Sequence, residues 1–394
     1  MIELLAPAGD LEKLKYALIY GADAVFIGGN NFSLRARASN FNLETIKEAV
    51  DFAHSLNKKV YVTTNIIPHQ EDLEGLVEYL KGLEEANVDA IISASPVIIK
   101  TALDNTNLEV HLSTQQSALN NGSLKFWKNY GVKRIVLGRE LSLDEIELLP
   151  RDYIDLEVFI HGGMCMSFSG RCSLSNNLTL RDANRGGCAH SCRWQYYLYD
   201  KEMKVSEEYF SMSSKDLMAI NEIPKLIDLG VASLKIEGRM KSLHYVATVV
   251  KTYRMLIDEY YKNNKIKDFK IYEDEIFKAE NRLTSSGYLD GDYGPSKQLY
   301  EFMGERPNQA FIGLVEDYNK ETKVATIEQR NYFKLGDTIE VFGPTLENRT
   351  FVLDNMTDED GNPIEVARHA QQIVKIKTPF PLEKYGMLRK LLWV

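Results

Sequence analysis

The sequence contains no apolar stretch approaching the roughly 18 residues that a membrane-spanning helix requires. The N-terminal residues MIELLAPAGD also lack the basic segment and long apolar run of a secretory signal. Both absences predict a soluble, cytoplasmic protein with no membrane partner. In that reducing compartment a disulfide framework is disfavoured, so the four cysteines of the chain are better explained as metal ligands or catalysts.

Basic residues are also in the minority. The 394 residues include 47 Lys and Arg against 56 Asp and Glu, which gives a formal net charge of −9. A nucleic-acid partner would therefore have to bind through a local basic patch. The sequence also lacks the H-E-x-x-H motif of zinc peptidases and the G-x-S-x-G motif of α/β-hydrolases, which excludes those two routes to hydrolysis.

The chain does contain an alternation of short apolar runs with segments of helical periodicity. Eight runs are predicted to be strands, over residues 2–6, 23–28, 59–64, 89–93, 108–113, 134–138, 156–161 and 233–237. Eight such units predict an α/β fold with a TIM-like (β/α) barrel. A doubly wound open sheet would give the same alternation, but no glycine-rich dinucleotide motif follows the first run.

Three regions are expected along the chain. Residues 1–240 would form the barrel, with a long insertion at 162–210 that contains every cysteine. Residues 241–304 are expected to be a helical linker region that packs on the barrel, because apolar residues recur there at helical spacing. Short strands with turn signals between them predict a small all-β, barrel-like domain at 305–394.

The four cysteines are close together in the sequence. Cys165, Cys172, Cys188 and Cys192 have the spacing C-x6-C-x15-C-x3-C. Four thiolates in one short segment predict a shared metal site. An iron–sulfur cluster is favoured over zinc, because structural zinc sites usually have about two to four residues between paired cysteines and the first gap here is six. Zinc and metal-free redox thiols remain alternatives.

The residues around these cysteines resemble a known family. The runs EVFIHGGMC (157–165), GRCSLS (170–175), GGCAHSCRW (186–194) and SLKIEGRMKSLHYV (233–246) are similar to the collagenase-like peptidase family, unassigned family thirty-two. The similarity extends over essentially the whole chain. One departure is Gly163, where the family usually has Ser or Ala.

The resemblance has divided implications for function. The family's historical label is peptidase, but its better understood members resemble RNA hydroxylation proteins and ubiquinone-pathway hydroxylases with a 4Fe-4S cluster on four such cysteines. This chain looks most similar to the tRNA hydroxylation branch, which makes 5-hydroxyuridine at the wobble position and depends on prephenate. The resemblance thus implies cluster ligands at the four cysteines, and tRNA (anticodon region), prephenate and a paired paralogue as partners. A peptidase and a non-catalytic, cluster-carrying RNA-binding scaffold remain alternatives.

In a barrel, chemistry gathers where the strands end at their C-terminal face. Prephenate is a dicarboxylate, so arginines at these ends are candidate ligands for it. The predicted substrate-binding residues are Arg35, Arg37, Asn65, Gln115, Arg139 and Arg239. The predicted catalytic residues are Glu237 and His161, the latter as a proton donor or a neighbour of the cluster. The alternatives are ion pairs such as Arg139 with Glu140, and a buried histidine bonded to backbone carbonyls.

Overall fold

The computed structural model of the protein describes residues 1–34, 41–279, 282–300 and 309–391. Its first part is a closed barrel of eight parallel strands, in which the eighth strand pairs with both the seventh and the first. The strands are β1 (Glu3–Pro7), β2 (Ala24–Gly28), β3 (Lys59–Thr64), β4 (Ala90–Ser93), β5 (Glu109–Leu112), β6 (Arg134–Val136), β7 (Asp155–Gly162) and β8 (Ser233–Ile236). Closure excludes the doubly wound open sheet, and the predicted barrel is confirmed.

Eight helices alternate with these strands. They are α1 (Leu11–Ile19), α2 (Leu43–Ser55), α3 (Leu76–Glu85), α4 (Pro96–Asn105), α5 (Asn121–Tyr130), α6 (Leu143–Glu147), α7 (Ile223–Asp228) and α8 (Leu243–Asn263). Asp10, Asn42 and Asn120 begin three of them, because each side chain accepts a hydrogen bond from the backbone N–H three residues further on. In the part of the chain that the structure describes, no helix has both the length and the apolar composition needed to cross a membrane.

A long insertion separates β7 from α7. It contains a short helix at Leu174–Thr179 and a hairpin of Tyr199–Asp200 with Met203–Lys204. The strands Ser213–Ser214 and Asp216–Met218 follow. The second of them pairs antiparallel with the C-terminal end of β7, which returns the chain to the barrel.

The segment after β8 completes the barrel. Helix α8 packs against α1 and β1, and α9 (Lys270–Phe277) packs against α8. The short strands Thr284–Ser285 and Gln298–Leu299 then pair with the two strands at the end of the insertion. The described residues of the expected helical linker region therefore contain two helices and two short strands, and its boundaries at 240 and 304 stay predictions.

The C-terminal part is an all-β domain, as predicted. Its strands are β9 (Gln309–Asn319), β10 (Val324–Gln329), β11 (Phe333–Lys334), β12 (Thr338–Phe342), β13 (Arg349–Val352), β14 (Thr357–Asp358), β15 (Val366–Ala367), β16 (Ile373–Lys377) and β17 (Met387–Leu391). Seven of them form one antiparallel sheet in the order β13-β12-β17-β9-β10-β16-β14, and β11 pairs with β15. Alternate residues of β10 are buried, so one face of the sheet packs into a second hydrophobic core around Ile327, Ile339 and Val374.

Buried contacts join the barrel to the C-terminal domain. Arg389 of β17 is fully buried and forms ion pairs of 2.5 Å with Glu275 of α9 and Glu340 of β12. His244 of α8 stacks on Phe311 of β9, with ring centroids 5.3 Å apart. A paired arginine and stacked rings of this kind hold the two parts in one arrangement.

Candidate active site

A cavity of about 170 Å³ lies at the C-terminal end of the barrel strands, under the insertion. Its lining includes all four cysteines and five of the predicted mouth residues, Asn65, Gln115, Arg139, Glu237 and Arg239. The structure thus brings together side chains that are up to 174 residues apart in the sequence. Predicted residues Arg35 and Arg37 lie outside the described residues.

Side chains of the insertion hold the cysteine segments in place. Asn184 binds the backbone of Cys172 twice: its Oδ1 accepts from the N–H at 3.3 Å and its Nδ2 donates to the carbonyl at 3.1 Å. Arg181 Nη2 donates to the carbonyl of Cys188 at 3.1 Å. The loops that carry two of the four thiols are therefore fixed by hydrogen bonds from within the insertion.

The thiols are close enough to affect one another electrostatically. Burial raises the pKa of the Cys192 thiol, and the neighbouring thiols of Cys165, Cys188 and Cys172 raise it further, while Arg193 lowers it. Cys165 is exposed and the other three thiols are half-buried. A positively charged metal centre would offset the charge that thiolate ligands bring to this cavity.

The four cysteines line one cavity, and thiolates are ligands of both iron–sulfur clusters and zinc. In the described residues, no three His, Cys, Asp or Glu side chains are close enough to hold one ion. A tetrahedral zinc site with bonds of about 2.3 Å would draw its sulfurs to about 3.8 Å from one another. An iron–sulfur cluster takes its thiolates on different irons, so its ligands stay further apart.

The two described arginines of the mouth are held by the protein itself. Arg139 donates from Nη1 to the carbonyl of Gly163 at 3.0 Å, and its guanidinium lies 3.9 Å from the centre of the Phe159 ring. Arg239 donates to Ser33 Oγ at 3.2 Å, to Thr63 Oγ1 at 3.3 Å and to the carbonyl of Leu34. Both guanidinium groups therefore reach the cavity in fixed orientations.

Glycine at position 28 leaves room for Arg239. A Cβ atom there would lie 1.8 Å from Arg239 Nη1, so any side chain at the end of β2 would displace the guanidinium. Asn65 supports the same region, since its Oδ1 accepts from the Leu34 N–H at 3.1 Å. Its carbonyl accepts from Gln115 Nε2 at 3.1 Å. Asn65 and Gln115 thus link the loops that follow β2, β3 and β5.

Glu140 has a structural partner in the insertion. Its Oε1 accepts from the Ser169 N–H at 2.5 Å and its Oε2 accepts from Ser169 Oγ at 3.1 Å. Ser169 lies between Cys165 and Cys172, in the 3₁₀ turn Phe168–Gly170. Glu140, in the loop after β6, therefore holds this cysteine loop against the barrel.

His161 does not line the cavity. It is buried against α8, with Nδ1 3.2 Å from the Tyr253 hydroxyl and its ring next to Tyr245. The cause is a bulge in β7. Lys235 of β8 pairs with Phe159, but the next residue, Ile236, pairs with His161, so one residue of β7 has no partner on β8. The bulge changes the alternation of inward and outward side chains along β7. The predicted catalytic role of His161 stays a prediction, and any such role would have to act through other residues.

Lys235 is a cavity residue that the predicted site omitted. It is buried, and its Nζ lies 2.8 Å from Glu157 Oε1 and 4.6 Å from the centre of the Phe26 ring. Burial alone would raise the pKa of Glu157, but Lys235 and Arg134 hold it below its usual value. The inward alternation of Glu157 and Phe159 with Lys235 on the adjacent strand is the sequence signal that could have identified it.

The fold and site define a class of protein: a (β/α) barrel with a C-terminal β domain and a cysteine-lined cavity under an insertion after the seventh strand. The chain belongs to peptidase family U32. The model of this family matches residues 9–298, and the model of the peptidase family U32 C-terminal domain matches residues 307–389.

Three relatives with different functional names are similar to this chain. The tRNA hydroxylation protein P1 of Bacillus subtilis is 48% identical over 98% of this chain and 94% of its own length. The 23S rRNA 5-hydroxycytidine C2501 synthase of Escherichia coli is 40% identical over 65% of this chain and 39% of its own length. The protein named collagenase in Porphyromonas gingivalis is 32% identical over 96% of this chain and 94% of its own length.

Proposed function

We propose that this chain is an RNA-modifying enzyme that hydroxylates the wobble uridine of tRNA to 5-hydroxyuridine. The observation that carries the proposal is the cavity at the barrel mouth, which four cysteines line together with arginine, amide and carboxylate side chains. Near full-length similarity to a tRNA hydroxylation protein, and similarity to an rRNA hydroxycytidine synthase, support RNA hydroxylation as the reaction class.

A 4Fe-4S cluster held by Cys165, Cys172, Cys188 and Cys192 is part of this proposal. The convergence of four thiols on one cavity supports it. When bound, such a cluster supplies one-electron transfer or a Lewis-acidic iron. The backbone hydrogen bonds from Asn184 and Arg181 would keep the ligand loops in place around it.

Prephenate is the proposed co-substrate. Arg139, Lys235 and Arg239 supply three positive charges to the cavity lining, and a dicarboxylate needs cationic partners of this kind when it leaves water. The Phe26 and Phe159 rings beside these groups exclude water from the floor. Glu237 is the lining carboxylate that we propose for proton transfer.

The alternative function is proteolysis, which the family name and the similarity to a protein named collagenase both suggest. A cysteine peptidase needs one thiol activated by a histidine. Here four thiols face one cavity, an arrangement that suits shared ligation of a metal centre. RNA hydroxylation is therefore the better supported function.

The test is nucleoside analysis of total tRNA from a strain that lacks this gene. Mass spectrometry should show loss of 5-hydroxyuridine and of nucleosides derived from it, with restoration by the wild-type gene. Cys188→Ser should fail to restore them, because one ligand of the cluster is lost. The β domain should keep its fold in this variant, since its core is separate from the insertion.

Ser173→Ala provides the control, because Ser173 is an exposed residue of the same insertion. It should restore modification fully. Unchanged nucleosides in the deletion strain, or full restoration by Cys188→Ser, would refute the proposal. Cleavage of collagen peptides by the wild-type protein, together with unchanged tRNA, would favour the peptidase.

A further inference from the structure

The part of the insertion around the cavity differs in charge from the rest of the chain. Residues 163–199 contain four arginines and one acidic residue, Asp182, so their net charge is +3 in a chain of net charge −9. This count treats the four cysteines as neutral, and Arg185 pairs with Glu71 and Asp72 outside the segment. The segment is nevertheless more positive than the chain as a whole, which favours contact with a polyanion.

Two exposed aromatic side chains lie on the rim of the cavity. Phe168 is 58% exposed and stands between Ser167 and Ser169, which both line the cavity. Trp194 is 43% exposed, and its backbone N–H donates to the carbonyl of Ser191, another lining residue, at 3.0 Å. Exposed aromatic rings beside a cavity are available to stack on the flat faces of a ligand.

The backbone beneath these rings is fixed. Ser169, the neighbour of Phe168, is buried and bonded to Glu140 through both its N–H and its hydroxyl. Ser191, which accepts the bond from the Trp194 N–H, is also buried. Rings on rigid turns lose little conformational entropy when they contact a partner.

Arg171 supplies an available charge on the same rim. It is exposed and lies between Gly170 and Cys172, two residues of the cavity lining. Its guanidinium forms no ion pair with any residue in the described ranges, so it can contact a phosphate without breaking an existing bond.

We propose that Phe168, Arg171 and Trp194 form a docking surface, here called the rim surface, for a single-stranded loop of RNA. The inference rests on the proposed function and extends it by naming where the RNA binds. Phe168 and Trp194 stack on bases that flank the target nucleotide, and Arg171 contacts the backbone. The target base leaves the stack and enters the cavity between them.

An RNA loop fits this surface better than a duplex or a protein does. Bases of a loop are already unstacked, so their faces are accessible to aromatic rings, whereas those of a duplex are not. The positive charge of the rim suits a phosphate backbone. The adjoining cavity is lined by arginine, amide and carboxylate side chains that can hydrogen-bond an unstacked base, which favours RNA over a protein partner.

The experiment measures binding of a synthetic anticodon stem-loop RNA, with unmodified uridine at the wobble position, to the full-length protein purified without oxygen. A blunt RNA duplex of the same base composition is the comparison. Phe168→Ala and Trp194→Ala should each weaken stem-loop binding by about five- to a hundredfold, the range for loss of one stacked base. Arg171→Gln should lower the slope of log Kd against log salt by about 0.7.

Phe126→Ala is the matched control, because Phe126 on α5 has the same 58% exposure and lies away from the cavity lining. It should bind the stem-loop as the wild type does. All variants should keep wild-type iron content and melting temperature, since the altered side chains are exposed. Melting and iron measurements thus separate loss of the docking surface from loss of fold or metal.

Three results would overturn the docking surface. The first is wild-type affinity in both Phe168→Ala and Trp194→Ala. The second is a wild-type protein that binds the stem-loop no better than the duplex. The third is wild-type RNA affinity with lost modification in cells, which would assign the rim surface to a protein partner. Failure of the proposed function shows separately, as unchanged tRNA nucleosides in the deletion strain.

Discussion

Glu140 is the side chain that fastens the first cysteine loop to the barrel. Its carboxylate accepts two hydrogen bonds from Ser169, which is buried between Cys165 and Cys172. Glu140→Ala would leave the Ser169 N–H buried without an acceptor, which costs about 1–3 kcal/mol. We expect a lower melting temperature and faster loss of iron in air, measured from absorbance of the anaerobically purified protein.

Ser169→Ala provides a graded comparison for this prediction. It removes the hydroxyl bond to Glu140 but keeps the bond from the backbone N–H. Its effect should be smaller, about 0.5–1.5 kcal/mol, with slower loss of iron than in Glu140→Ala. Equal and wild-type iron retention in both variants would show that this loop is held by other contacts.

Some residues of the site could be predicted from the sequence, and the positions or contacts of others could not. The cysteines were found because all four lie within one short segment. The contacts of Arg239 could not be predicted from the sequence, because its partners Ser33 and Thr63 are 206 and 176 residues away. His161 was placed at the mouth from its position after a strand, and no local pattern reveals the bulge that turns it towards α8.

At the scale of elements, α8 links the barrel to the C-terminal sheet through a buried histidine. His244 stacks on Phe311 and meets the edge of Phe342, and burial lowers its pKa to about 3. Arg389 lowers the pKa further and Lys278 also lowers it, whereas Glu275 raises it. The folded protein therefore keeps His244 neutral, while the unfolded chain takes up a proton below about pH 6.5.

The difference between the His244 pKa in the folded and unfolded states makes folding stability depend on pH. Below about pH 6.5 the unfolded state binds more protons, so stability is complete above that pH and falls towards pH 3. The loss is at most about 1.4 kcal/mol per pH unit. His244→Phe keeps the ring stacking and removes the proton, so its stability should fall less than that of the wild type between pH 7 and pH 5.

Denaturant unfolding at the two pH values measures this comparison. The matched control is His369→Phe, because His369 is exposed and its hydrogen bonds in the described residues involve only its backbone. It should lose as much stability as the wild type on acidification. An identical loss in the wild type and His244→Phe would contradict a neutral, buried histidine at this position.

Regular elements were predictable where apolar periodicity was strong. All eight barrel strands occur where the sequence places them, because each is an apolar run bounded by polar or glycine residues. The structure of the insertion was harder to predict from the sequence, because its elements are very short and are held by hydrogen bonds such as those of Asn184. Its return to the barrel through Asp216–Met218 depends on pairing with β7, which local sequence does not encode.

The cavity is a property of the whole molecule. Its lining runs from Phe26 on the second strand to Tyr288 beyond α9, and it exists only because the insertion covers the closed barrel. The sequence predicted the barrel and the cysteines separately. Their convergence on one volume required the three-dimensional arrangement, and it is the basis for assigning the mouth residues and the thiols to one reaction.

The central claim is that the four cysteines of this cavity hold one iron–sulfur cluster. Iron and zinc content per chain, measured on protein purified without oxygen, tests it most directly. We predict about four irons per chain and little zinc. Stoichiometric zinc with no iron under the same conditions would contradict the account.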